Sequence, residues 1–447
     1  MSILRILSKS RGPKNLLSRV RTVSSRFGFS SKRFHRLLKN YRDITRELEC
    51  FPTFPITAVV LKRHPRIIRD LCQQGIEFAV HGYIHVDYGV ISEAEQSKHY
   101  HDAVNVFSAC RVPFTGYRAP FLRVNDQTFQ SLCQVGFPYD SSRAVHWDVV
   151  DKSRYTEEAW TEYLRVLDFY QSRPAEERPV LPGFFNGSVE IPVSMPDDEI
   201  TVERLGITDP EEIAGIWEAI VKKTYSLGEL FTIQLHPERI IQCGLALSRA
   251  IKLAKAYNPP LWIATLREIS EWWQERAGFT IDIKKEDEGK YLVKTECSPR
   301  ATVLVKNGKA SAPAAEWYGD YKYVTDREFI LESARRPAIG MAENSSAEAV
   351  SFLQGEGYIV EKGNQPSDCS LYLDDLDAFT RNDERRLIDK IEKSDATLVR
   401  YWRWPDRARS AASITGDIDS ITISDFVLRI IENNLENRRQ KKLNQDS

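Results

Sequence analysis

The sequence predicts an α/β fold in which a parallel sheet or barrel is followed by smaller modules. From residue 33 to about residue 277, short β-rich apolar runs alternate with segments whose apolar residues recur at helical spacing. This is the order of a parallel α/β sheet or barrel. The chain has 447 residues, a length typical of two or three domains.

Local signals place the elements of this first part in order. Residues 33–48 have the helical spacing of a first helix, and the Pro-punctuated run 50–61 predicts a first buried strand. Further strands are expected at 76–81, 112–120, 137–142, 189–194 and 230–237. Further helices are expected at 64–75, 91–110, 125–136, 157–172, 210–228 and 246–257, and a short strand leading into a helix at 261–277.

The pattern changes after these elements. Residues 278–336 alternate apolar and polar residues, with turn signals at Glu288-Gly289 and Asn307-Gly308, and therefore predict a small antiparallel β module. Residues 337–405 return to alternating strands and helices, which predicts a small α/β module. Residues 406–447 are expected to form a last strand, an acidic loop and a helix.

Charge, hydropathy and cysteine content exclude several classes of protein. The formal net charge is −1, which argues against a nucleic-acid partner bound through bulk charge. Apolar residues make up 42% of the chain, enough to build buried cores. No apolar run reaches the roughly 18–20 residues of a membrane span. The seven cysteines are spread out and contain no CxxC pair, which predicts a reducing, cytoplasmic setting rather than a disulfide framework.

The N-terminal arm, residues 1–32, is strongly basic. No acidic residue precedes Asp43, whereas twelve Lys or Arg residues lie between Arg5 and Arg42. Three interpretations stay open: a solvated basic arm, an amphipathic segment that contacts anionic lipid, and a mitochondrial transit peptide. Peripheral contact with a membrane is therefore one expectation. No feature of the sequence indicates an oligomeric state.

Histidines that follow predicted strands are the strongest local signal for a site. His81 follows the apolar strand EFAV, and His85 lies four residues on, a spacing at which two imidazoles on a helical turn can converge on one metal ion. His236 ends a second apolar strand, FTIQL. Parallel α/β folds carry their sites at this edge. Taken singly, a chance pair or an ordinary core histidine would look the same.

An arginine and two aspartates complete a hydrolytic set. Arg118 lies in GYRAP after a short strand and could orient a carboxylate, although a surface arginine would look similar. Asp417 and Asp419 follow the apolar stretch SAASI, and two carboxylates two apart point the same way if the strand continues. Two His and one Asp with an open position form a catalytic zinc ligand set. A second Asp and another His could then move protons, which favours metal-assisted amide hydrolysis.

These motifs resemble a known family. HGYIH (81–85), GYRAP (116–120) and LHP (235–237) are similar, in this order and at about this spacing, to the motifs of polysaccharide deacetylases of the NodB-homology type, carbohydrate esterase family 4. The resemblance covers about residues 33–275. It implies a distorted (β/α) barrel, an amino-sugar glycan as substrate, and loss of N-acetyl groups. It also implies a divalent metal cofactor, zinc by expectation, with cobalt or another first-row ion as the alternative.

The resemblance also implies roles for individual residues. The implied set is Asp419, His81 and His85 as metal ligands, Asp417 as general base, Arg118 as its tether and His236 as general acid. No clear fourth motif is present, and Asp140 and Trp147 are the nearest candidates.

The family's first motif, an acidic turn after the first strand, is displaced. It is absent upstream of residue 33, whereas GDIDS (416–420) resembles its Asp-x-Asp variant. We therefore expect a circularly permuted barrel whose first strand comes from about residues 408–430, so that 406–447 complete the barrel. Permutation is tolerated where chain termini lie close together.

Two other functions stay open beside the deacetylase. One is a catalytically silent barrel that binds a glycan or a protein; it would separate the GDIDS turn from the histidine pair. The other is a related metal-dependent hydrolase that cleaves a C–N bond in a small cyclic or linear amide.

Overall fold

The computed structural model describes residues 26–363 and 365–446. The predictions for the basic arm up to residue 25, lipid contact and transit peptide among them, lie outside these residues. Within them, no helix combines the length and the apolar character needed to cross a bilayer. All seven cysteines are free.

The chain alternates strands and helices along most of its length. The strands are β1 Thr53–Ile56, β2 Glu77–Val80, β3 Gly116–Tyr117, β4 Tyr139–Asp140, β5 Ala144–His146, β6 Arg173–Pro174, β7 Gly183–Phe185, β8 Ser188–Glu190, β9 Val193–Met195, β10 Leu230–Gln234, β11 Leu261–Ile263, β12 Thr280–Asp287, β13 Lys290–Glu296, β14 Val303–Lys306, β15 Lys309–Ala310, β16 Ala314–Tyr318, β17 Tyr321–Val324, β18 Glu328–Glu332, β19 Arg336–Met341, β20 Val360–Lys362, β21 Cys369–Leu373, β22 Leu398–Tyr401 and β23 Ser410–Thr415. The α-helices are α1 Ser31–Glu47, α2 Ala58–Arg63, α3 Pro65–Cys72, α4 Glu93–Cys110, α5 Asp126–Val135, α6 Glu157–Phe169, α7 Pro210–Leu227, α8 Ile240–Lys255, α9 Leu266–Arg276, α10 Ala347–Gly355, α11 Glu384–Glu392 and α12 Ile423–Asp446.

A nine-stranded sheet forms the centre of the molecule. Its order is β10-β23-β1-β2-β3-β4-β8-β7, with β11 also paired to β23, and every pairing except the β7–β8 hairpin is parallel. The sheet curls into a half-barrel, which confirms the predicted α/β class and agrees with the distorted barrel. A small parallel sheet, β6-β5-β9, lies beside it.

The C-terminal strand β23 lies in the middle of this sheet. It pairs in parallel with β10 through five residue pairs, from Leu230–Ala411 to Gln234–Thr415. On its other side it pairs with β11 and, at its end, with β1 through Thr53–Thr415. All six of its residues are buried. β23 thus completes the sheet beside β1, although the two strands lie some 350 residues apart in the chain.

The part after α9 contains three further sheets. Two are antiparallel, with orders β12-β13-β18-β15 and β16-β17-β14-β22, and one is parallel, β20-β19-β21. β22 lies beyond the expected β module 278–336, yet it pairs with β14 of that module, as in Val303–Tyr401. The predicted modules therefore share a sheet, and the domain limits stay predictions.

Some elements differ from the sequence-based expectations. The run 50–61 was expected to be one strand, but β1 ends at Ile56 and α2 begins at Ala58, because Ala58 donates its backbone N–H to the Gly82 carbonyl and turns the chain away from the sheet. The expected strand 189–194 is divided between β8 and β9, which belong to different sheets. Apolar runs of this length do not separate strand from helix.

The central place of β23 predicts a large cost for removing a core side chain from it. Ile414 is fully buried, so Ile414→Ala should lower the free energy of unfolding by about 2–5 kcal/mol through lost contacts and a cavity. Leu435 on α12 is 60% exposed, so Leu435→Ala should change it by less than about 0.5 kcal/mol. Denaturant unfolding of both variants measures this. Equal effects would contradict a central position for β23.

Candidate metal centre

The carboxyl ends of four strands converge on one site. His81 follows β2, Arg118 follows β3, and His236 lies two residues after β10. The GDIDS turn follows β23. Because β10, β23, β1, β2 and β3 are neighbours and parallel, these ends share one edge of the sheet, where α/β folds place their sites. The structure thus brings together the residues that the sequence singled out.

The two histidines lie on a loop, and the helical turn expected from their spacing is wrong. Gly82 has φ +74°, and a Cβ there would lie 2.6 Å from the Tyr88 hydroxyl. The chain therefore needs glycine to turn back directly after the strand. As a result the rings of His81 and His85 lie with centroids 5.3 Å apart.

The two aspartates point to the same side because the ladder continues past β23. Ile418 donates its backbone N–H to the Pro55 carbonyl at 2.8 Å and forms a parallel bridge with Ile56. Residues on either side of Ile418 then share a face. Gly416 permits this path, since a Cβ there would lie 1.9 Å from the Leu235 carbonyl oxygen.

Asp419 and the two histidines have the geometry of a metal-binding set. The His81 Nε2–Asp419 Oδ1 distance is 3.3 Å, and the His85 Nε2–Asp419 Oδ2 distance is 3.2 Å. Donors bound at about 2.0–2.1 Å to a tetrahedral zinc ion lie about 3.3 Å apart. The separation expected for a silent barrel, with the turn far from the histidines, is not observed.

The hydrogen bonds around these three residues leave ligand atoms available. His81 Nδ1 lies 2.9 Å from the Arg118 carbonyl oxygen, so it carries the proton and Nε2 keeps its lone pair, the arrangement typical of a ligating histidine. Asp419 Oδ1 is buried without a hydrogen-bond partner. Burial lowers the pKa of His85, partly against the opposing effect of Asp419. The donor set and its unpartnered oxygen fit a zinc-class ion.

A positively charged side chain of the protein, that of Arg429, contacts this metal-binding set. Arg429 of α12 forms an ion pair with Asp419 Oδ2. Burial would raise the pKa of Asp419, but His85 and then Arg429 outweigh it and hold that pKa well below its usual range. Asp419 is therefore ionised, as a metal ligand must be.

Asp417 is held by two side chains, one after β3 and one from β10. Arg118 Nη1 donates to Asp417 Oδ1 at 3.0 Å, and Gln234 Nε2 donates to Oδ2 at 3.1 Å. His81 Nε2 lies 3.7 Å from Oδ2, so Asp417 borders the metal-binding set without belonging to it.

Arg118 is fully buried and its guanidinium is fixed on every side. Nε donates to the Ser141 carbonyl and Nη2 to the Ser141 hydroxyl, both at 2.9 Å. Nη1 also donates to Thr415 Oγ1 at 2.9 Å. A buried charge is tolerated only when it is paired and hydrogen-bonded in this way, and the planar fork leaves one orientation toward Asp417.

His236 belongs to a second ion-pair network. Its Nδ1 lies 2.9 Å from Asp198 Oδ1, and Arg239 Nη1 lies 2.8 Å from Asp198 Oδ2. Burial would lower the pKa of His236, but Asp198 outweighs it and raises the pKa to about 10. His236 is therefore a proton donor at neutral pH.

The sequence analysis did not identify Asp198, Arg239 or Gln234. Asp198 follows β9, which the sequence merged with β8, so its position at a strand end was hidden. Arg239 lies three residues after His236 and Gln234 two before it, and the spacing to a recognised motif is the only signal that could have found them.

The two candidates for a fourth motif lie inside the protein. Asp140 accepts hydrogen bonds from Ser142, and Trp147 Nε1 donates to Ser194 Oγ at 3.2 Å. A second group with metal-ligating atoms, unforeseen from the sequence, lies between α4 and α12 and consists of Glu95, His99 and Glu436.

Comparison with known proteins agrees with this reading of the motifs. A family model described as polysaccharide deacetylase matches residues 36–139, which include both histidines and Arg118. Residues 36–139 are thus similar to the polysaccharide deacetylase family. The match confirms the resemblance and the predicted enzyme class, a hydrolase of C–N bonds. A search of curated proteins gives no significant match.

Solved structures of deacetylases overlap much of the chain at low identity. A Mycobacterium smegmatis protein assigned as a polysaccharide deacetylase is 22% identical and has a TM-score of 0.43, over 60% of this chain and 85% of its own. A Pseudomonas aeruginosa PAO1 protein assigned likewise is 18% identical, with a TM-score of 0.43, over 62% and 83%. The Puue allantoinase is 17% identical, with a TM-score of 0.43, over 61% and 80%.

The donor geometry predicts about one zinc-class ion per chain that depends on Asp419. Asp419→Asn removes the charge of the ligand shared by both histidines, so its zinc affinity should fall by at least about 100-fold, beyond the loss typical of an outer-shell change. Asp375→Asn, on an exposed aspartate paired with Lys390, should bind zinc as the wild type does. Metal analysis after dialysis against zinc measures this. Equal zinc in all three proteins would exclude Asp419 as a required ligand.

Proposed function

We propose that this protein is a metal-dependent deacetylase that hydrolyses the N-acetyl group of an amino-sugar glycan. The observation that supports it most is the meeting of Asp417 and Asp419, from the C-terminal strand, with His81, His85 and Arg118, from the family segment. These five side chains supply the ligands, base and tether that the sequence analysis inferred from the family resemblance.

The residues divide the reaction between them. A divalent ion held by His81, His85 and Asp419 would act as a Lewis acid and stabilise negative charge on the acetyl oxygen. Asp417, oriented by the hydrogen bond from Arg118, takes the proton of the attacking water.

His236 then gives its proton to the departing nitrogen. The C–N bond breaks, and acetate and the free amine leave. Gln234 and Arg118 fix the two oxygens of Asp417 from different strands, so the base is oriented before substrate arrives. Asp198 holds His236 protonated and fixes its ring.

We also infer that the barrel is circularly permuted relative to the family. The family match begins at residue 36, and β23 lies beside β1 in parallel. An acidic turn after a strand at this place is what the resemblance implies for the family's first motif. Permutation would move that strand to the end of the chain and leave the sheet unchanged.

The proposal includes a cytoplasmic location, because all seven cysteines are free and free thiols persist in reducing compartments. Contact of the basic arm with a membrane stays a prediction of the sequence. Cell fractionation distinguishes these alternatives. A cytoplasmic protein is recovered in the soluble fraction, and a membrane-bound protein in the membrane fraction.

The central experiment compares two aspartates that lie two residues apart. If Asp417 is the base, Asp417→Asn should lower kcat for acetate release from N-acetylglucosamine oligomers by about 10²–10⁴-fold, the contribution typical of a general base. It should keep about one zinc ion per chain, whereas Asp419→Asn should lose both zinc and activity. Acetate release and bound zinc are measured on the same samples.

The outcomes separate the three functions. Unchanged kcat in Asp417→Asn would exclude it as the base. A zinc-loaded wild type that releases no acetate from any N-acetylated glycan would overturn the deacetylase. If that protein instead opens a small cyclic amide such as allantoin, it is the alternative enzyme, a metal-dependent hydrolase that cleaves a C–N bond in a small amide.

The Asp198–His236 pair predicts a pH dependence with a definite sign. With its pKa raised to about 10, His236 stays protonated and active as an acid until the pH rises toward 10. In Asp198→Asn the raising carboxylate is gone and burial remains, so the pKa should fall below the ordinary value of about 6.5. The basic limb of the kcat/KM profile should then move to below about pH 7.

The pH dependence of folding stability tests the raised pKa of His236 independently of activity. A raised folded-state pKa stabilises the protein fully below the unfolded value of about 6.5, and this stabilisation is lost as the pH rises to the folded value. Wild-type stability should therefore decline over this window, and Asp198→Asn should not. Glu203→Gln is the control, because Glu203 pairs with Arg239 at 2.9 Å and not with His236. A shift in this control alone would contradict the role of Asp198.

A further inference from the structure

Three buried side chains with metal-ligating atoms meet between α4 and α12, outside the candidate metal centre. They are Glu95 and His99 of α4 and Glu436 of α12, and each is less than a tenth exposed. One ligand atom from each of the three residues lies within 4.8 Å of the other two. The mechanism proposed above uses none of them.

The spacing on α4 directs two of these ligands to one point. Glu95 and His99 are four residues apart, so their side chains lie on one face of the helix, a turn apart. The distance from His99 Nε2 to Glu95 Oε1 is 3.5 Å, which is longer than an ordinary hydrogen bond. It is close to the separation of about 3.3 Å between two donors on one tetrahedral zinc ion.

The other ring nitrogen of His99 contacts a hydroxyl group. Nδ1 lies 3.2 Å from the Tyr88 hydroxyl oxygen, so Nε2 is the nitrogen that faces Glu95. A histidine whose second nitrogen is held by a hydrogen bond is typical of metal sites. Burial lowers the pKa of His99, although Glu95 and Glu436 oppose this effect, so the ring is neutral at neutral pH and has a lone pair for an ion.

A positively charged side chain of α12 contacts this group. Arg439 Nη1 lies 2.9 Å from Glu95 Oε1. Arg429, ten residues earlier on the same helix, contacts Asp419 of the candidate metal centre. A carboxylate of each ligand group thus has an arginine of α12 beside it. Because the Arg439 side chain is 53% exposed, its ion pair is screened by solvent, and a divalent ion can take its place at Glu95.

Tyr88 joins this group to the loop that carries the proposed metal ligands His81 and His85. Its hydroxyl oxygen accepts a hydrogen bond from the backbone N–H of Tyr83 at 3.3 Å. The centroid of the Tyr83 ring also lies 5.9 Å from that of the His99 ring. An ion that fixes the ring of His99 would therefore also limit the motion of Tyr83 and of the loop.

We propose that Glu95, His99 and Glu436 bind a second divalent ion of the zinc class, which links α12 to α4 and steadies the histidine loop. One imidazole and two carboxylates are ligands that such an ion accepts in proteins. Since α12 begins at Ile423, shortly after the GDIDS turn, an ion at this place would hold the two pieces of chain that carry Asp419 and the histidines. The inference rests on the geometry of three side chains and does not require the proposed function.

Zinc titration of the metal-free protein separates the two sites by affinity. The ion that depends on Asp419, which the experiments above count, should bind first, because two imidazoles suit zinc better than one. The wild type should then take up a second ion in a weaker phase. Asp419→Asn should lose the tighter phase and keep the weaker one. Glu436→Gln should do the reverse, with the weaker affinity lowered by at least about 100-fold. Isothermal titration calorimetry measures both phases.

Two further variants control for damage to α12 and for a local effect at Glu436. Glu432→Gln is the matched control, because Glu432 lies four residues before Glu436 on the same helix and pairs with Arg63. It should keep both phases. His99→Gln removes a ligand from the α4 side and should lose the weaker phase. The thermal midpoint of each variant reports whether it folds.

Arg439→Gln should change the affinity in the opposite direction. Because the arginine competes with the ion for Glu95, its removal should strengthen the weaker phase by about two- to fivefold, the change equivalent to a surface ion pair. Arg438→Gln, at the exposed neighbouring position, is the control and should leave this affinity unchanged. A cluster of ion pairs that binds no metal would show no weaker phase in any of these proteins.

Hydrogen exchange tests the link to the loop. In Asp419→Asn the second site is the one that takes up zinc, so zinc should slow the exchange of the Tyr83 amide, which donates to Tyr88. In Asp419→Asn combined with Glu436→Gln, zinc should leave this exchange unchanged. Equal exchange with and without zinc in Asp419→Asn would overturn the proposed effect on the loop.

The titrations overturn the second site in two cases. The first is a wild type with a single phase that Asp419→Asn loses. The second is a weaker phase that Glu436→Gln and His99→Gln both retain. The proposed function fails separately, when a protein that shows both phases releases no acetate from any N-acetylated glycan.

Discussion

The parallel pairing of β23 between β10 and β1 is the constraint on which the candidate site depends. Only this pairing brings the two aspartates of GDIDS to the same sheet edge as the histidines that follow β2. The barrel segment alone offers His81, His85, Arg118 and His236, but neither of the two carboxylates proposed as third metal ligand and as base. Because the whole of β23 is buried, its register is strongly specified: a slip by one residue would turn buried side chains to the wrong face. The packing that stabilises the core therefore also positions the two aspartates of the candidate site.

Arg118 couples the two halves of the site. Its carbonyl oxygen lies 2.9 Å from His81 Nδ1, which directs Nε2 toward Asp419, and its guanidinium donates to Asp417. One residue thus contacts a proposed metal ligand through its backbone and the proposed base through its side chain. Ser141, directly after β4, and Thr415 of β23 hold the guanidinium, so the arrangement is determined by the order of the strands. Hydrogen bonds of this kind hold the side chains of a site close to the geometry that its chemistry needs.

The sequence predicts the alternating elements well because periodicity reports burial directly. It also predicts the site residues that the structure brings together, since each follows an apolar strand. It fails where the signal is not local. The mostly apolar residues 57–61 fit either a strand or a helix. The backbone hydrogen bond from Ala58 to the Gly82 carbonyl marks the start of the helix. Asp198 was missed because its strand, β9, is only three residues long. The pairing of β22 with β14 joins regions that differ in pattern, and only tertiary packing shows it.

The two ion-pair networks at the sheet edge differ in a way that suits the proposed roles. Asp417 accepts a hydrogen bond from a fully buried arginine, Arg118, which orients it for the proposed role of a base. His236 faces a buried carboxylate, which favours the imidazolium form that an acid requires. The two groups thus face partners of opposite charge. Asp198 cannot itself be neutralised easily, because Arg239 also pairs with it.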